Sequence, residues 1–417
     1  MSEKVMNRWL AVVGAILIQL ALGAIYAWSV FTPSLKEAGW SVAQTQYVFS
    51  AGLAAFAVVM VFAGRMMPKI GPRRLAIAGG VVLGIGYALA GLLKTTDFGP
   101  VFALIGLVGG AGIGLAYVVP IAVGVRWFPD KKGLIMGLAV AGFGFGAMGW
   151  VKGAGAWGHL IENVGLSNTF AIYGIAFLLM VVVGGMFMVF PPDGWKPAGW
   201  NPPEAKGGAP ATGALNFTSG EMLRTPQFYM IFLCFVAGGG AGLMSIGLMK
   251  LYPMKALMEN GVSEAAASGI AGTAMAVFFS LANGMGRIGW GALSDKLGRK
   301  LSIIIMLATQ GAIVLAFPMM AGSEYLLYLG ATIIGFNFGG NFALFPSITA
   351  DTFGNKFVGQ NYPWVFLAYG VGGIAGPIMG GKLGDMGNFP LAFTICGVAV
   401  VAAAIVAALI KPAHKTA

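Results

Sequence analysis

The stretch GALSDKLGRK, residues 291–300, has a degenerate copy, GRMMPKIGPRR, at residues 64–74. Both stretches follow a long apolar run and end in basic residues, and Pro68 in the first copy stands where the second copy has Asp295. A second correspondence joins the end of the fourth apolar run to the residues after the tenth, where Pro120 matches Pro346. These correspondences predict that the chain is built from two related halves.

The composition excludes a soluble protein. Hydrophobic residues make up 58% of the 417 residues and charged residues only 9%, whereas soluble domains contain about 25% charged residues. Apolar runs of roughly twenty residues recur along the chain, and one such run can cross a hydrocarbon layer about 30 Å thick. We therefore expect an integral protein of the lipid bilayer. The 67 glycines agree with this, because small residues let membrane helices pack closely.

Twelve apolar runs are long enough to cross the bilayer, and they predict an all-α membrane protein with twelve transmembrane helices in two pseudo-symmetric six-helix bundles. The predicted spans are residues 9–31, 45–64, 75–93, 100–125, 133–151, 169–190, 228–251, 265–291, 301–321, 325–345, 362–381 and 389–410. The stretch 191–227 is the only long hydrophilic segment and is rich in proline and glycine. It is predicted to link an N-terminal bundle, residues 1–190, to a C-terminal bundle, residues 228–417.

Lysine and arginine residues are unevenly distributed between the two ends of the predicted spans. Most of them fall in loops on the side of the N-terminus, and basic residues accumulate in cytoplasmic loops. We therefore predict that the chain crosses a bacterial inner membrane and that both termini face the cytoplasm. The formal net charge of +11 follows from this topology and requires no nucleic-acid partner.

The residue types needed for catalysis or metal binding are not grouped in the spans. Cys234 and Cys396 lie in separate apolar runs, and His159 and His414 lie outside the spans. We therefore expect no cofactor and no metal, and an enzyme is the weaker alternative because no predicted span contains a carboxylate pair or a nucleophile beside a base. A membrane sensor is a further alternative, but it would normally carry a larger soluble domain.

The stretch at residues 291–300 resembles the cytoplasmic loop motif of the major facilitator superfamily, and residues 64–74 resemble a degenerate copy of that motif. The resemblance implies the twelve-helix major facilitator fold, transport by alternating access and a pathway that one monomer can form. Gly298 permits a tight turn, and Asp295 can pair with a base or cap a helix. The residues to which we assign a role in conformational gating are Gly64, Lys69, Gly71, Asp295, Lys296, Gly298 and Arg299.

Arg287 is the only charged residue deep in a predicted span. An arginine in a membrane normally faces a cavity or a partner, and none of the 14 acidic residues falls inside a span, so we predict that a mobile anion supplies the counter-charge. Guanidinium binds carboxylate through two parallel hydrogen bonds, and Asn283 lies one turn earlier. Thr273 and Ser280 continue a seven-residue spacing that predicts a polar stripe along a water-filled path. The alternative is that Arg287 reaches the membrane interface or helix carbonyls.

Several further strings resemble the bacterial oxalate:formate antiporters and monocarboxylate transporters. They are RWFPDKKG at residues 126–133, GEMLRTPQF at 220–228 and ALFPS at 343–347, together with the arginine of the eighth span. The resemblance runs through nearly the whole chain. It implies a substrate cavity bordered by Tyr26, Tyr117, Asn283, Arg287, Phe338, Phe342 and Phe366.

Two departures from these families bear on the substrate and its coupling. The oxalate:formate antiporter has a second membrane base in the eleventh span, where this chain has Tyr369, which we include among the substrate-binding residues. One buried positive charge balances one carboxylate, so we predict a monocarboxylate such as lactate, pyruvate or acetate.

The second departure concerns coupling to protons. Animal monocarboxylate transporters carry an aspartate where this chain has Asn283, so a co-transported proton is predicted to move on the substrate itself or through a transient water path. Exchange of carboxylates, as in the antiporter, is the alternative.

Overall fold

The computed structural model describes residues 6–94, 96–128, 132–155, 157–192, 194–197, 199, 216–354, 357–411 and 413. Within these residues every regular element is a helix. His414, residues 129–131 of the string RWFPDKKG and much of the predicted linker lie outside the described residues. The predicted boundaries of the linker and of the two bundles therefore remain predictions.

The long helices of the described chain are numbered in order. They are α1 (Arg8–Glu37), α2 (Val42–Ile70), α3 (Pro72–Leu92), α4 (Phe98–Gly124, continuing to Trp127), α5 (Lys132–Ala154), α6 (Leu160–Met186), α7 (Pro226–Leu248), α8 (Glu264–Leu297), α9 (Arg299–Met320), α10 (Glu324–Phe353), α11 (Val358–Asp385) and α12 (Phe389–Leu409). Among the described residues, α1–α4 and α6–α12 are each long and apolar enough to cross a membrane. The 23-residue helix α5 occupies the place of the predicted fifth span.

The two related loops end their helices in the same way. Gly71 follows α2 with φ of 88°, and Gly298 follows α8 with φ of 84°. A residue with a Cβ atom is strained in this left-handed region, so glycine is required for the sharp turn. The matching conformations agree with the internal repeat inferred from the two sequence copies.

Two helices continue past the ends of their predicted spans. The predicted eighth and tenth spans stop at residues 291 and 345, whereas α8 and α10 each run about two turns further. Hydropathy detects only the part of a helix inside the hydrocarbon layer. Asp295 and Asp351 therefore lie in terminal helical turns, where Arg299 contacts both through nitrogen to oxygen distances of 2.5 and 3.4 Å. Asp295 thus pairs with a base, as the motif predicted.

The predicted polar stripe on α8 is interrupted between Thr273 and Ser280. Residues Ala274–Phe279 form a π-helical segment, whose wider turn disturbs the seven-residue spacing between these two residues. Ser280 lies in the α-helical segment that contains Asn283 and Arg287, and its hydroxyl donates to the Met275 carbonyl oxygen over 2.9 Å. That Ser280 lines a path beside Arg287 remains a prediction.

The first six long helices meet the last six mainly where α2 packs on α11 and α5 packs on α8. Glycines bring these backbones close together: a Cβ atom on Gly144 would lie 2.7 Å from the Gly284 nitrogen, and one on Gly381 would lie 3.1 Å from the Ala43 Cα atom. Close backbone packing of this kind replaces the hydrophobic drive inside a membrane. The packing of α5 on α8 brings the Phe143 ring beside Arg287.

Candidate anion-binding site

Arg287 is completely buried on α8, ten residues before the end of that helix. Its Nε donates to the Asn283 Oδ1 atom one turn earlier, over 3.3 Å. Among the described residues, Nη1 and Nη2 of Arg287 and Nδ2 of Asn283 have no hydrogen-bond partner, and no carboxylate lies within ion-pair distance of the guanidinium. A buried, unpaired charge is strongly unfavourable. These donors together suit the two oxygens of a carboxylate.

Aromatic rings surround the guanidinium group. Its central carbon lies 4.1 Å from the centroid of the Phe342 ring and 5.4 Å from that of the Phe143 ring. The hydroxyls of Tyr26 and Tyr117 interact electrostatically with the guanidinium, although they do not satisfy its Nη atoms. Ring faces stabilise a cation but do not neutralise it. The site therefore keeps a positive charge in surroundings that exclude water.

The predicted aromatic residues form one buried cluster that joins the two halves. The Tyr26 and Tyr369 hydroxyls are 3.0 Å apart, which connects α1 to α11. The Tyr26 ring packs on Phe338 at 5.4 Å, and the Tyr117 ring packs on Phe366 at 5.6 Å between centroids. Together with Asn283, Arg287 and Phe342, all eight predicted substrate-binding residues are buried in this region. Their role in binding remains a prediction.

The cluster also contains aromatic residues that the sequence did not single out. The Phe56 ring on α2 lies 4.9 Å from Tyr117 and 5.2 Å from Phe366, and the Phe143 ring on α5 lies 5.0 Å from Tyr26. Phe143 belongs to the string GFGFG, whose glycines indicate only close helix packing. Phe56 has no local signal, because it lies among other apolar residues of α2.

A cavity approaches the cluster from the end of the helices that carries residues 64–74 and 291–300, here called the motif end. It has a volume of about 480 Å³, and its lining includes Gly64, Arg126, Pro346 and Tyr362. The Tyr362 ring packs on Phe366 at 5.7 Å between centroids and stands between this cavity and the site.

The other end of the helices, here called the far end, is closed by contacts between the two halves. The Asp385 carboxylate, at the end of α11, accepts hydrogen bonds from the Val42 and Ala43 amides at the start of α2, over 2.8 and 3.0 Å. Gln46 Nε2 donates to the Gly247 carbonyl oxygen over 3.3 Å. A carboxylate at a helix N-terminus is stabilised both by these free amides and by the helix dipole. The two halves are thus joined by hydrogen bonds at the far end, whereas the cavity beside Tyr362 lies at the motif end.

Replacing Asp385 with alanine is expected to shift the population of molecules toward opening at the far end. The variant loses two charge-assisted hydrogen bonds, and because Asp385 is exposed we expect an effect of about 1 kcal/mol. Spin labels at the exposed positions Lys36 and Lys382, in a background without cysteines, report the separation of the halves there. The control is Glu37→Ala, an exposed carboxylate nearby in sequence to one label; equal distance distributions for parent and Asp385→Ala would contradict the prediction.

The profile of the Major Facilitator Superfamily matches residues 9–278 and 251–417 of the chain. The chain belongs to the major facilitator superfamily. It is therefore a multi-pass membrane transporter, and the predicted major facilitator fold is confirmed. The gating role assigned to the motif residues stays a prediction, with Lys69 and Lys296 placed in the last turns of α2 and α8.

Individual members of the superfamily are similar to this transporter over most of its length. An uncharacterized MFS-type transporter, YhjX of Escherichia coli, is 31% identical, covering 88% of this chain and 86% of the relative. The oxalate:formate antiporter of Oxalobacter formigenes is 27% identical over 94% of this chain and 88% of its own. Monocarboxylate transporter 13 of Rattus norvegicus is 23% identical over 93% and 85%. The resemblance inferred from the sequence strings is thereby confirmed.

Proposed function

We propose that this transporter carries a small monocarboxylate such as lactate, pyruvate or acetate by alternating access, with Arg287 as the residue that binds the carboxylate. The observation that carries the proposal is the buried guanidinium whose Nη1 and Nη2 atoms have no partner among the described residues. A carboxylate satisfies both atoms at once and removes the penalty of an unpaired buried charge. Asn283 Nδ2 supplies a further donor for a carboxylate oxygen or a substrate hydroxyl.

The preference for one carboxylate over two follows from the charge of the site. Where a second base would stand on α11, the buried Tyr369 hydroxyl bonds with that of Tyr26. A dianion bound at Arg287 would keep one negative charge without a partner, which is unfavourable among aromatic rings. The names of two relatives, an oxalate:formate antiporter and a monocarboxylate transporter, support a carboxylate substrate in general.

The proposed cycle uses the two ends of the molecule in turn. We place both termini and the motif end in the bacterial cytoplasm, so that the cavity beside Tyr362 is the inward path and the far end is the outer gate. The turn glycines Gly71 and Gly298 and the contacts of Arg299 with Asp295 hold the helix ends that move on opening. Rocking of the halves about Arg287 would alternately expose the site to either side.

Proton coupling is proposed to occur through the substrate. No acidic side chain lies within ion-pair distance of Arg287 in the described structure. The substrate and the proton would therefore cross together, either as the protonated carboxylic acid or as a carboxylate whose proton passes through transient water. The rival is exchange of one carboxylate for another, which the similarity to the oxalate:formate antiporter favours.

Uptake of labelled lactate, pyruvate, acetate and oxalate by the purified transporter in lipid vesicles tests the proposed function. We expect uptake of the monocarboxylates into empty vesicles, accelerated by a pH gradient that is acidic outside, because a co-transported proton then moves downhill. Protein-free vesicles are the control for diffusion of the neutral acids. Uptake that requires an internal carboxylate and ignores the gradient would establish exchange instead, and uptake of none of these compounds would overturn the proposal.

A further inference from the structure

Two lysines, one from each half of the molecule, contact the same segment of α8 at the far end. Lys152, in the last turn of α5, donates to the Thr273 hydroxyl of α8 over 3.3 Å. Lys250, directly after α7, donates to the Ser268 hydroxyl over 2.7 Å and also to the Ser268 carbonyl oxygen. Both ammonium groups are thus held against the same part of α8 by neutral oxygen atoms.

The charges of these two lysines are not compensated by protein groups. In the described part of the chain neither lysine has a carboxylate within 4.0 Å.

Three acidic groups of the elements around them are engaged elsewhere, and a fourth, Glu264 in the first turn of α8, is exposed and lies more than 4.0 Å from either ammonium group. These engaged groups are Asp385, which accepts from the α2 amides, Glu259, which lies 3.8 Å from Lys255, and Glu324, which accepts from the Tyr328 hydroxyl. Closing the far end therefore brings two like charges together.

The surroundings of Lys250 disfavour its charged form. Burial, and then the positive charge of Lys152, lower the pKa of Lys250 from 10.5 to about 8. A group whose pKa is lowered in one state opposes that state while it is protonated. Charged Lys250 therefore opposes closure of the far end at neutral pH, and the opposition ends either when Lys250 loses its proton or when an anion compensates it.

We propose that Lys152 and Lys250 form an anion-binding gate, in which one small anion bridges the two ammonium groups and stabilises closure of the far end. The bridging ligand is a carboxylate or an inorganic monoanion. The two ammonium groups are held at one segment of α8, because their acceptors Ser268 and Thr273 lie five residues apart on that helix. This gate is separate from the site at Arg287 and does not depend on which substrate is carried.

The gate is tested in an Arg287→Gln background, where the central charge is absent. Spin labels at positions 36 and 382 of a cysteine-free protein report opening and closing of the far end while sodium acetate or sodium chloride is added. We expect anion to increase the ratio of closed to open molecules about fivefold, and this response to be lost in Lys152→Met and in Lys250→Met. The matched control, Lys255→Met, removes a nearby lysine that already has Glu259 as a partner and should respond like the parent.

The responses to the two salts distinguish which chemical class of anion the gate binds. A response to acetate alone assigns the gate to carboxylates, and equal responses assign it to small monoanions in general; both support the gate. No response in the parent, or an undiminished response in Lys250→Met at the same ionic strength, would overturn it. Failure of carboxylate uptake in vesicles would not affect this result, because the labels report closure and not transport.

A pH series without added anion provides a second readout. The charge of Lys250 is lost as the pH rises through about 8, so raising the pH from about 7 to about 9 should favour closure in the parent. Lys250→Met has no such group and should show no change over that range. A parent whose label distances do not vary with pH would contradict the proposed repulsion between the two lysines.

Discussion

Arg287→Gln is expected to abolish carboxylate uptake and to leave the protein at least as stable as the parent. Uptake is lost because the two parallel charge-assisted hydrogen bonds to the carboxylate disappear, which should reduce apparent affinity by about 100-fold or more. Stability is retained because the variant no longer buries a charge, whereas the Arg287 guanidinium of the parent is buried with no hydrogen-bond partner on Nη1 or Nη2. Replacing such a charge with a neutral group of similar shape is often neutral or stabilising.

Both consequences can be measured on the same samples, by uptake of labelled lactate into vesicles and by thermal unfolding in detergent. Arg287→Lys is the conservative control, which keeps one positive charge but loses the fork of parallel donors, and it should retain a small part of the uptake. A glutamine variant that unfolds at a much lower temperature would show that Arg287 is bound to a protein group. Undiminished uptake by that variant would remove Arg287 from the proposed site.

Tyr369→Lys is expected to change the preference of the transporter from monocarboxylates toward dianions such as oxalate. The Tyr369 side chain lies on the wall of the aromatic cluster, with its hydroxyl 3.0 Å from that of Tyr26. A lysine in this place adds a second positive charge near Arg287, so that a dianion would have a partner for each carboxylate. The ratio of oxalate to lactate uptake should rise about tenfold or more, a change equivalent to about 1.4 kcal/mol.

Tyr369→Phe is the matched control, because it keeps the ring and removes only the hydrogen bond to Tyr26. It should retain the preference of the parent for monocarboxylates. The lysine variant should also be less stable than the parent without ligand, since two like charges are then buried together, and oxalate should restore its melting temperature more than lactate does. An unchanged ratio of oxalate to lactate uptake, in a protein that still transports lactate, would contradict the proposed charge balance.

Several features of this protein follow from the sequence because the bilayer leaves a spanning segment few options. Every backbone polar group in the hydrocarbon layer must be satisfied within the segment, so each long apolar run has to be a helix. The same penalty makes a charged residue in such a run conspicuous, which is why Arg287 can be identified without a structure. The turns at Gly71 and Gly298 are likewise local, because only the backbone of glycine readily adopts their positive φ.

Other features depend on which helices lie side by side. The sequence pattern within one helix does not predict the neighbours of that helix. Phe56 and Phe143 look like ordinary apolar residues until packing of α2 and α5 brings their rings against Tyr117 and Tyr26. The π-helical segment of α8 interrupts the predicted polar stripe between Thr273 and Ser280, because a local change of winding rotates the residues beyond it.

The contacts that close the far end also depend on which helices lie side by side. Asp385 meets the amides of Val42 and Ala43 across 343 and 342 positions of sequence, and Lys152 approaches Lys250 only because both reach α8 from different halves. The sequence by itself determined the membrane-spanning helices, their repeat and the lone buried guanidinium, since each reflects a local penalty for exposing polar groups to lipid. The tertiary structure alone decided what surrounds that guanidinium and which charges face one another, since these depend on contacts between distant helices.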